Sequence, residues 1–241
     1  MSKLVAGALC LLAGFHQSIA IAADRGHAHM HDDPLVGMFL MDELEWQDAS
    51  PDDALAWNVS AWLGRDIGRL LFRSEGELTD GSVEDSRSEL LWLRPVAAWW
   101  DLVSGLRQDI GTGPGRTYGL IGVQGTAPYR FHVEADLFGG ERGQVGARLE
   151  SKYEILLTNR LILQPRAELQ AFGKDDAATG IGSGLSQLEL GLRLRYEIRR
   201  EFAPYVGVEW NGKFGDTADL ARDADGSVRD SRFVAGLRFW F

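Results

Sequence analysis

In the stretch "YRFHVEADLF", Tyr129, Phe131, Val133, Ala135 and Leu137 alternate with Arg130, His132, Glu134 and Asp136. A period of two puts the apolar and polar sets on opposite faces of a β-strand. The period returns in "SQLELGLRLRYEI", where Leu188, Leu190, Leu192, Leu194, Tyr196 and Ile198 oppose Gln187, Glu189, Arg193, Arg195 and Glu197. It returns again where Phe233, Ala235, Leu237, Phe239 and Phe241 share one face. About twelve such segments are predicted, near residues 37–46, 54–64, 67–78, 86–95, 98–109, 116–126, 129–138, 144–156, 160–172, 185–198, 203–214 and 230–241. They run roughly ten to fourteen residues, longer than ordinary globular strands and suited to crossing a bilayer at a tilt.

One face of these strands carries Arg148, Glu150, Lys152, Arg166, Glu168, Arg193, Arg195 and Arg238. A soluble sandwich buries its apolar face and wets the charged one; a membrane barrel turns the apolar face to lipid and the charges to its lumen. Alternation alone fits both. The links separate them, because longer ones ("QDASPDD", "TDGSVEDSR", "IGTGPGR", "GGERG", "GKDDAATGIGSG", "GDTADLARDADGSVRD") alternate with shorter ones ("RD", "VA", "AP", "LTN", "RREF"). Outer-membrane barrels have tight turns on one rim and longer loops on the other. The expected fold is therefore all-β, a closed antiparallel transmembrane β-barrel of about 12 strands with both chain ends on the short-turn, periplasmic rim. Lumen charges including Arg148, Glu150, Arg166, Glu168, Arg193 and Arg195 are expected either to plug the barrel as an ion network or to line a narrow path.

The first residues, "MSKLVAGALCLLAGFHQSIAIAA", combine Lys3, an apolar stretch from Leu4 to Phe15 and a small-residue end at Ala20-Ile21-Ala22. That is the pattern of a cleaved export signal, predicted over residues 1–23. The only cysteine, Cys10, lies inside it. Removing the leader leaves a chain without disulfides, thiolate ligands or a thiol nucleophile. With 25 Lys and Arg against 35 Asp and Glu the formal charge is −10. This sign argues against nucleic acid, whose binding needs a basic patch.

Several longer stretches, "FLMDELEW", "WLGRDIGRLLFRSEGE", "SRSELLWLRP", "YEILLTNRLILQPRAELQAFG" and "GLRLRYEIRREFAPYVGVEW", with the final "GLRFWF", resemble the copper resistance protein B family of Gram-negative outer-membrane proteins. The resemblance covers roughly residues 34–241. It implies an outer-membrane barrel (37–241), preceded by a periplasmic copper-binding segment (24–36), that contributes to copper tolerance by sequestering or exporting copper ions. It also implies outer-membrane lipid, copper and a periplasmic copper-binding protein or oxidase of the same resistance system as partners, with the barrel a monomer and no enzyme. The family's N-terminal segment is often long and rich in Met and His; here it is only about a dozen residues.

That short segment, expected to lack fixed structure, contains "HAHMH". Imidazole suits Cu(II) and thioether sulfur suits Cu(I), so His27, His29, Met30 and His31 are candidate copper ligands, with Asp32 or Asp33 able to add an oxygen. Met38 and Met41 are candidate thioethers at the start of the first strand, and His132 is a candidate lumen ligand or general base. In each of these three the plainer reading is a packing or polar wall residue. "DADGS" lacks the spacing of a calcium loop, and the Gly-rich links precede no helix that would present an N-terminus to phosphate. Two alternative functions stand beside the copper reading, a general small-solute porin and an outer-membrane lipid-modifying enzyme.

Overall fold

The computed structural model describes residues 33–48, 53–111 and 113–241. The predicted leader and His27, His29, Met30 and His31 lie outside them.

The strands are β1 (Val36–Asp48), β2 (Ala54–Arg65), β3 (Gly68–Thr79), β4 (Ser82–Ala97), β5 (Trp100–Gly111), β6 (Arg116–Ala127), β7 (Phe131–Gly140) and β8 (Val145–Lys152). They continue as β9 (Ile155–Leu156), β10 (Leu161–Phe172), β11 (Gly184–Tyr196), β12 (Phe202–Lys213) and β13 (Arg229–Trp240). Each pairs antiparallel with its neighbours, and β13 pairs with β1 from Leu40↔Trp240 to Asp48↔Phe233. That seam closes the sheet. The two-residue β9 pairs with β10, the partner of β8 as well, so the wall has twelve staves. Closure pairs the first and last staves, whose edges lipid would otherwise leave without hydrogen-bond partners.

The two faces follow the period of two. Leu90, Trp92, Leu137, Leu190, Leu192 and Phe233 are exposed on the outer wall, where a barrel meets lipid. Arg148, Glu150, Glu168, Arg193 and Arg195 are buried inside. In β1 a bulge between Met41 and Leu44 shifts the register, so that Asp42 and Glu43 both face inward. Such an extra residue re-aims side chains without breaking the wall.

The structure differs from the pattern reading in four places. The link "TDGSVEDSR" is only a two-residue turn, Asp80–Gly81, with both residues at positive φ (52° and 77°). Asp-Gly suits this hairpin geometry, and the ladder continues through Ser82–Asp85 although those residues do not alternate. β7 starts at Phe131 because Pro128–Arg130 form a 3-10 turn with Tyr129 and Arg130 at positive φ. The stave expected over 144–156 breaks after Lys152 and resumes as β9. The longest link carries a helix, α1 (Gly215–Asp223), whose Ala, Leu and Arg are good helix formers.

The lumen wall is also less uniform than the charge alternation implies. Leu71, Leu91, Leu93, Val103, Tyr118, Leu120, Phe138 and Phe172 form a buried apolar cluster on its β3–β7 and β10 side. In "LLFR" and "LLWLR" both faces of the strand are apolar, so alternation hides which side is inside.

Candidate functional site

The lumen is crossed by a belt of ion pairs. Arg148 of β8 donates to Glu168 of β10 through Nε (2.9 Å) and Nη2 (2.8 Å), and to Glu150 at 2.7 Å. Arg166 donates to Glu150 at 3.0 Å and to Glu168 at 2.7 Å. These contacts run along one stave or between neighbouring ones. Others span the interior, where Arg87 of β4 reaches Glu168 of β10 (3.3 Å) and Arg73 of β3 pairs with Glu134 of β7. Arg193 of β11 clasps Glu45 of β1 with two bonds of 2.8 and 3.1 Å and donates to Glu209 at 2.7 Å. Lys152 joins Asp42 (3.0 Å) to Glu150 (3.1 Å), and Arg238 holds the other oxygen of Asp42 at 2.8 Å. Arg195 completes the short-turn side by donating to Gln164 and Glu154.

Alternation dictates this arrangement. Residues two apart on one stave, such as Arg148 and Glu150 or Arg166 and Glu168, point the same way, and the register sets Glu168 opposite Glu150 and Glu189. Three carboxylates in one row would repel one another, so arginines from adjoining rows fold in between them. Glu168 is 2% exposed and Glu45 fully buried, so each charge depends on its partners rather than on water. Arg107 uses another device, lying 4.1 Å over the ring of Phe138 while it donates twice to Asp109.

The belt divides the interior. On the short-turn side a cavity of about 220 Å³ is lined by residues that include Leu40, Asp42, His132, Lys152 and Arg238. On the long-loop side lies a vestibule of about 390 Å³, with Glu43, Glu75, Asp85, Asp109, Glu189 and Glu209 in its wall. Over the vestibule folds the β10–β11 loop, residues 173–183. Its Asp176 accepts two bonds from Arg116 of β6 (2.8 and 3.2 Å) and one from Gln144. Arg116 and Gln144 hold the Asp176 carboxyl below its ordinary value. Gly113 lies so close under the loop that a Cβ there would sit 2.3 Å from the carbonyl oxygen of Ala178.

Met38 and Met41 are separated by the wall. Phe39 stacks on Phe241 outside (5.1 Å), and Met41 shares that face; Leu40 lines the inner cavity, and Met38 shares its face. His132 stands at the inner edge of the short-turn mouth, opposite Thr126 and Lys152 in the ladder. Among the described residues no group of three His, Cys, Asp or Glu side chains could hold a metal ion. The candidate donors His27, His29, Met30 and His31 lie outside the described residues. Asp33, the first described residue, pairs with Arg65 (3.7 Å) and accepts from the Asp66 amide at the short-turn rim.

Period and charge pick out eight belt residues, Arg148, Glu150, Lys152, Arg166, Glu168, Arg193, Arg195 and Arg238, but not Glu45, Arg73, Arg87 or Glu89, the last of which accepts from Arg73 at 2.8 Å. The last three carry a usable signal, the spacing of two in Arg73/Glu75 and Arg87/Glu89. The Arg116–Asp176 pair, 60 residues apart, carries none.

Comparison with known proteins gives a family and a fold. Residues 35–241 match the family model described as Copper resistance protein B precursor (CopB). The chain is 52% identical over 216 residues to "Copper resistance protein B homolog" of Pseudomonas syringae pv. tomato (strain ATCC BAA-871 / DC3000) and 45% identical over 217 residues to "Copper resistance protein B" of Escherichia coli. Each alignment spans 90% of this chain and 73% of the relative. Among solved structures it is similar to the KdgM porin (TM-score 0.53, 12% identity, 86% of this chain and 99% of that one). It is similar too to the NanC porin (TM-score 0.54, 10% identity, 85% and 99%). At those identities the likeness is one of fold.

Proposed function

Because the chain belongs to the copper resistance protein B family, we propose that it is an outer-membrane barrel that protects the cell by binding copper at its periplasmic, short-turn rim. His27, His29, Met30 and His31 are the ligands, presented on the segment 24–36 that leads into β1. The observation that carries this reading is the pairing of that donor cluster with a barrel whose own wall lacks a metal-binding group among the described residues. Imidazoles serve Cu(II) and the thioether serves Cu(I), so one short segment handles both oxidation states. Met38, on the inner face of β1, is the next thioether along the chain and is suited to receive Cu(I). A periplasmic copper-binding protein or oxidase of the same system is the natural donor or recipient. The reading involves no catalytic turnover.

Copper titration of the purified protein tests it. Replacing His27, His29 and His31 by Ala is expected to abolish tight Cu(II) binding and leave the barrel folded, while replacing Met30 weakens Cu(I) more than Cu(II). Binding by the wild-type chain is expected to weaken as pH falls through about 6.5, where free imidazoles take up protons. Wild-type Cu(II) affinity in the triple variant would overturn the assignment and move attention to His132.

The likeness to porins gives a second reading, passive diffusion of small solutes. The belt speaks against it, since a general pore needs a water-filled lumen and this one is spanned by buried ion pairs.

A further inference from the structure

The loop over the vestibule is tied down unequally on its two sides. Toward α1 it is held by several bonds close to the backbone. The Gly182 amide donates to Thr217 Oγ1 (2.9 Å), Ser183 Oγ to Asp216 (3.0 Å), and Ser186 Oγ back to the Gly182 carbonyl (2.9 Å). The loop is stiff within itself, because Asp176 and Ile181 exchange both backbone hydrogen bonds at 2.7 and 3.1 Å. Toward β6 the Asp176 carboxylate secures it through Arg116, with Gln144 of the β7–β8 link, and at its start the Gly173 amide donates to the Val145 carbonyl (2.8 Å). Gly184, at φ +86°, lies where the loop rejoins β11, in a left-handed conformation that glycine adopts without steric cost. A stiff flap with a many-bonded side, a glycine at its base and an ionic fastening at the far side is built to swing as a unit.

We propose that residues 173–183 form a lid over the vestibule, hinged beside α1 and latched at β6 by the Arg116–Asp176 pair. Closed, the lid sets Ala178 against Gly113 and places Ile181 against the apolar lumen cluster. Open, it gives the long-loop side access to the vestibule as far as the ion belt, which stays shut beneath. The lid thus governs entry to the vestibule and not passage through the barrel. The inference does not depend on the copper reading, and its test contains no metal.

Asn211 lines the vestibule, and its Oδ1 has no hydrogen-bond partner, so a thiol there disturbs no ion pair. The test uses purified, folded barrel in detergent carrying Asn211→Cys and a bulky charged thiol reagent, with Asp219→Cys on exposed α1 as the open reference. Asn211→Cys is expected to react far more slowly than the reference. Adding Asp176→Asn removes a charge-assisted bidentate pair and is expected to speed its labelling about tenfold. The exchanged pair Arg116→Asp with Asp176→Arg restores slow labelling. Labelling of Asn211→Cys at the reference rate would show that no lid closes. An unchanged rate with Asp176→Asn, or fast labelling in the exchanged pair, would show that Arg116 and Asp176 are not its latch. Heat-modifiable migration on gels confirms the fold of each variant.

Discussion

Buried charges in this barrel are tolerable only in company, and single substitutions expose that. Removing one partner from a buried ion pair leaves the other charge uncompensated, at a cost of about 3–5 kcal/mol. Arg148→Ala, which leaves Glu168 and Glu150 each with one cationic partner fewer, is therefore expected to lower the urea midpoint of the detergent-solubilised barrel clearly. Replacing the ring of facing charges by apolar side chains of similar volume is expected to cost far less, because the desolvation penalty disappears with the charge. An Arg148→Ala midpoint equal to that of the wild type would mean that water reaches the belt. Outside the wall, Phe39 and Phe241 stack across the seam, and their backbones exchange hydrogen bonds of 2.9 and 3.0 Å. Phe39→Ala keeps those bonds and loses the stack, so the unfolding temperature on gels is expected to fall modestly, in line with about 1 kcal/mol for such a ring pair.

Among the elements, the hairpins show what the pattern of residues could and could not reveal. β11 is readable at sight because Leu188 to Leu194 face lipid and Glu189 to Arg195 face the belt, with no exceptions. The first turn of β4 is unreadable, since Ser82, Val83, Glu84 and Asp85 alternate in nothing and are strand only because β3 pairs with them. The apolar side of the lumen was hidden for the opposite reason, two apolar faces on one strand. Asp80–Gly81 holds that hairpin. Gly81→Ala places a Cβ at φ +77° and is expected to destabilise the folded barrel by about 1 kcal/mol, read from urea unfolding. The lid loop follows the same logic with charge. Its Asp176 carboxyl is held below the ordinary 3.8 in the folded state, so the latch contributes fully above that value and fades as pH falls through the depressed one. Hydrogen exchange in residues 173–183, corrected for intrinsic rates, is expected to stay constant from pH 8 to 5 and to rise only in stronger acid. A rise already at pH 6 would contradict the Asp176 latch.

At the scale of the molecule, twelve strands enclose a space that long arginine and glutamate side chains can span, and the belt does span it. Planar-bilayer recordings of the wild-type barrel are accordingly expected to show little or none of the steady conductance of an open pore; a large steady conductance would mean that the belt is not a plug. The architecture was legible because alternation, strand length and the long–short rhythm of the links are all local in sequence. The lumen contacts were legible only as charge on a face, because their partners lie far apart along the chain. Arg193 and Glu45, the most buried of these pairs, are separated by 148 residues and sit on β11 and β1. Their clasp can form only when the late strands come round to meet the first one, and both side chains must then shed their water together. Closure of the seam is thus a late step burdened by dehydration, and contacts this distant along the chain favour slow folding. A barrel with Glu45 and Arg193 both replaced by Met should insert into lipid vesicles faster than the wild type, so that the ties which seal the finished lumen also set the pace of its assembly.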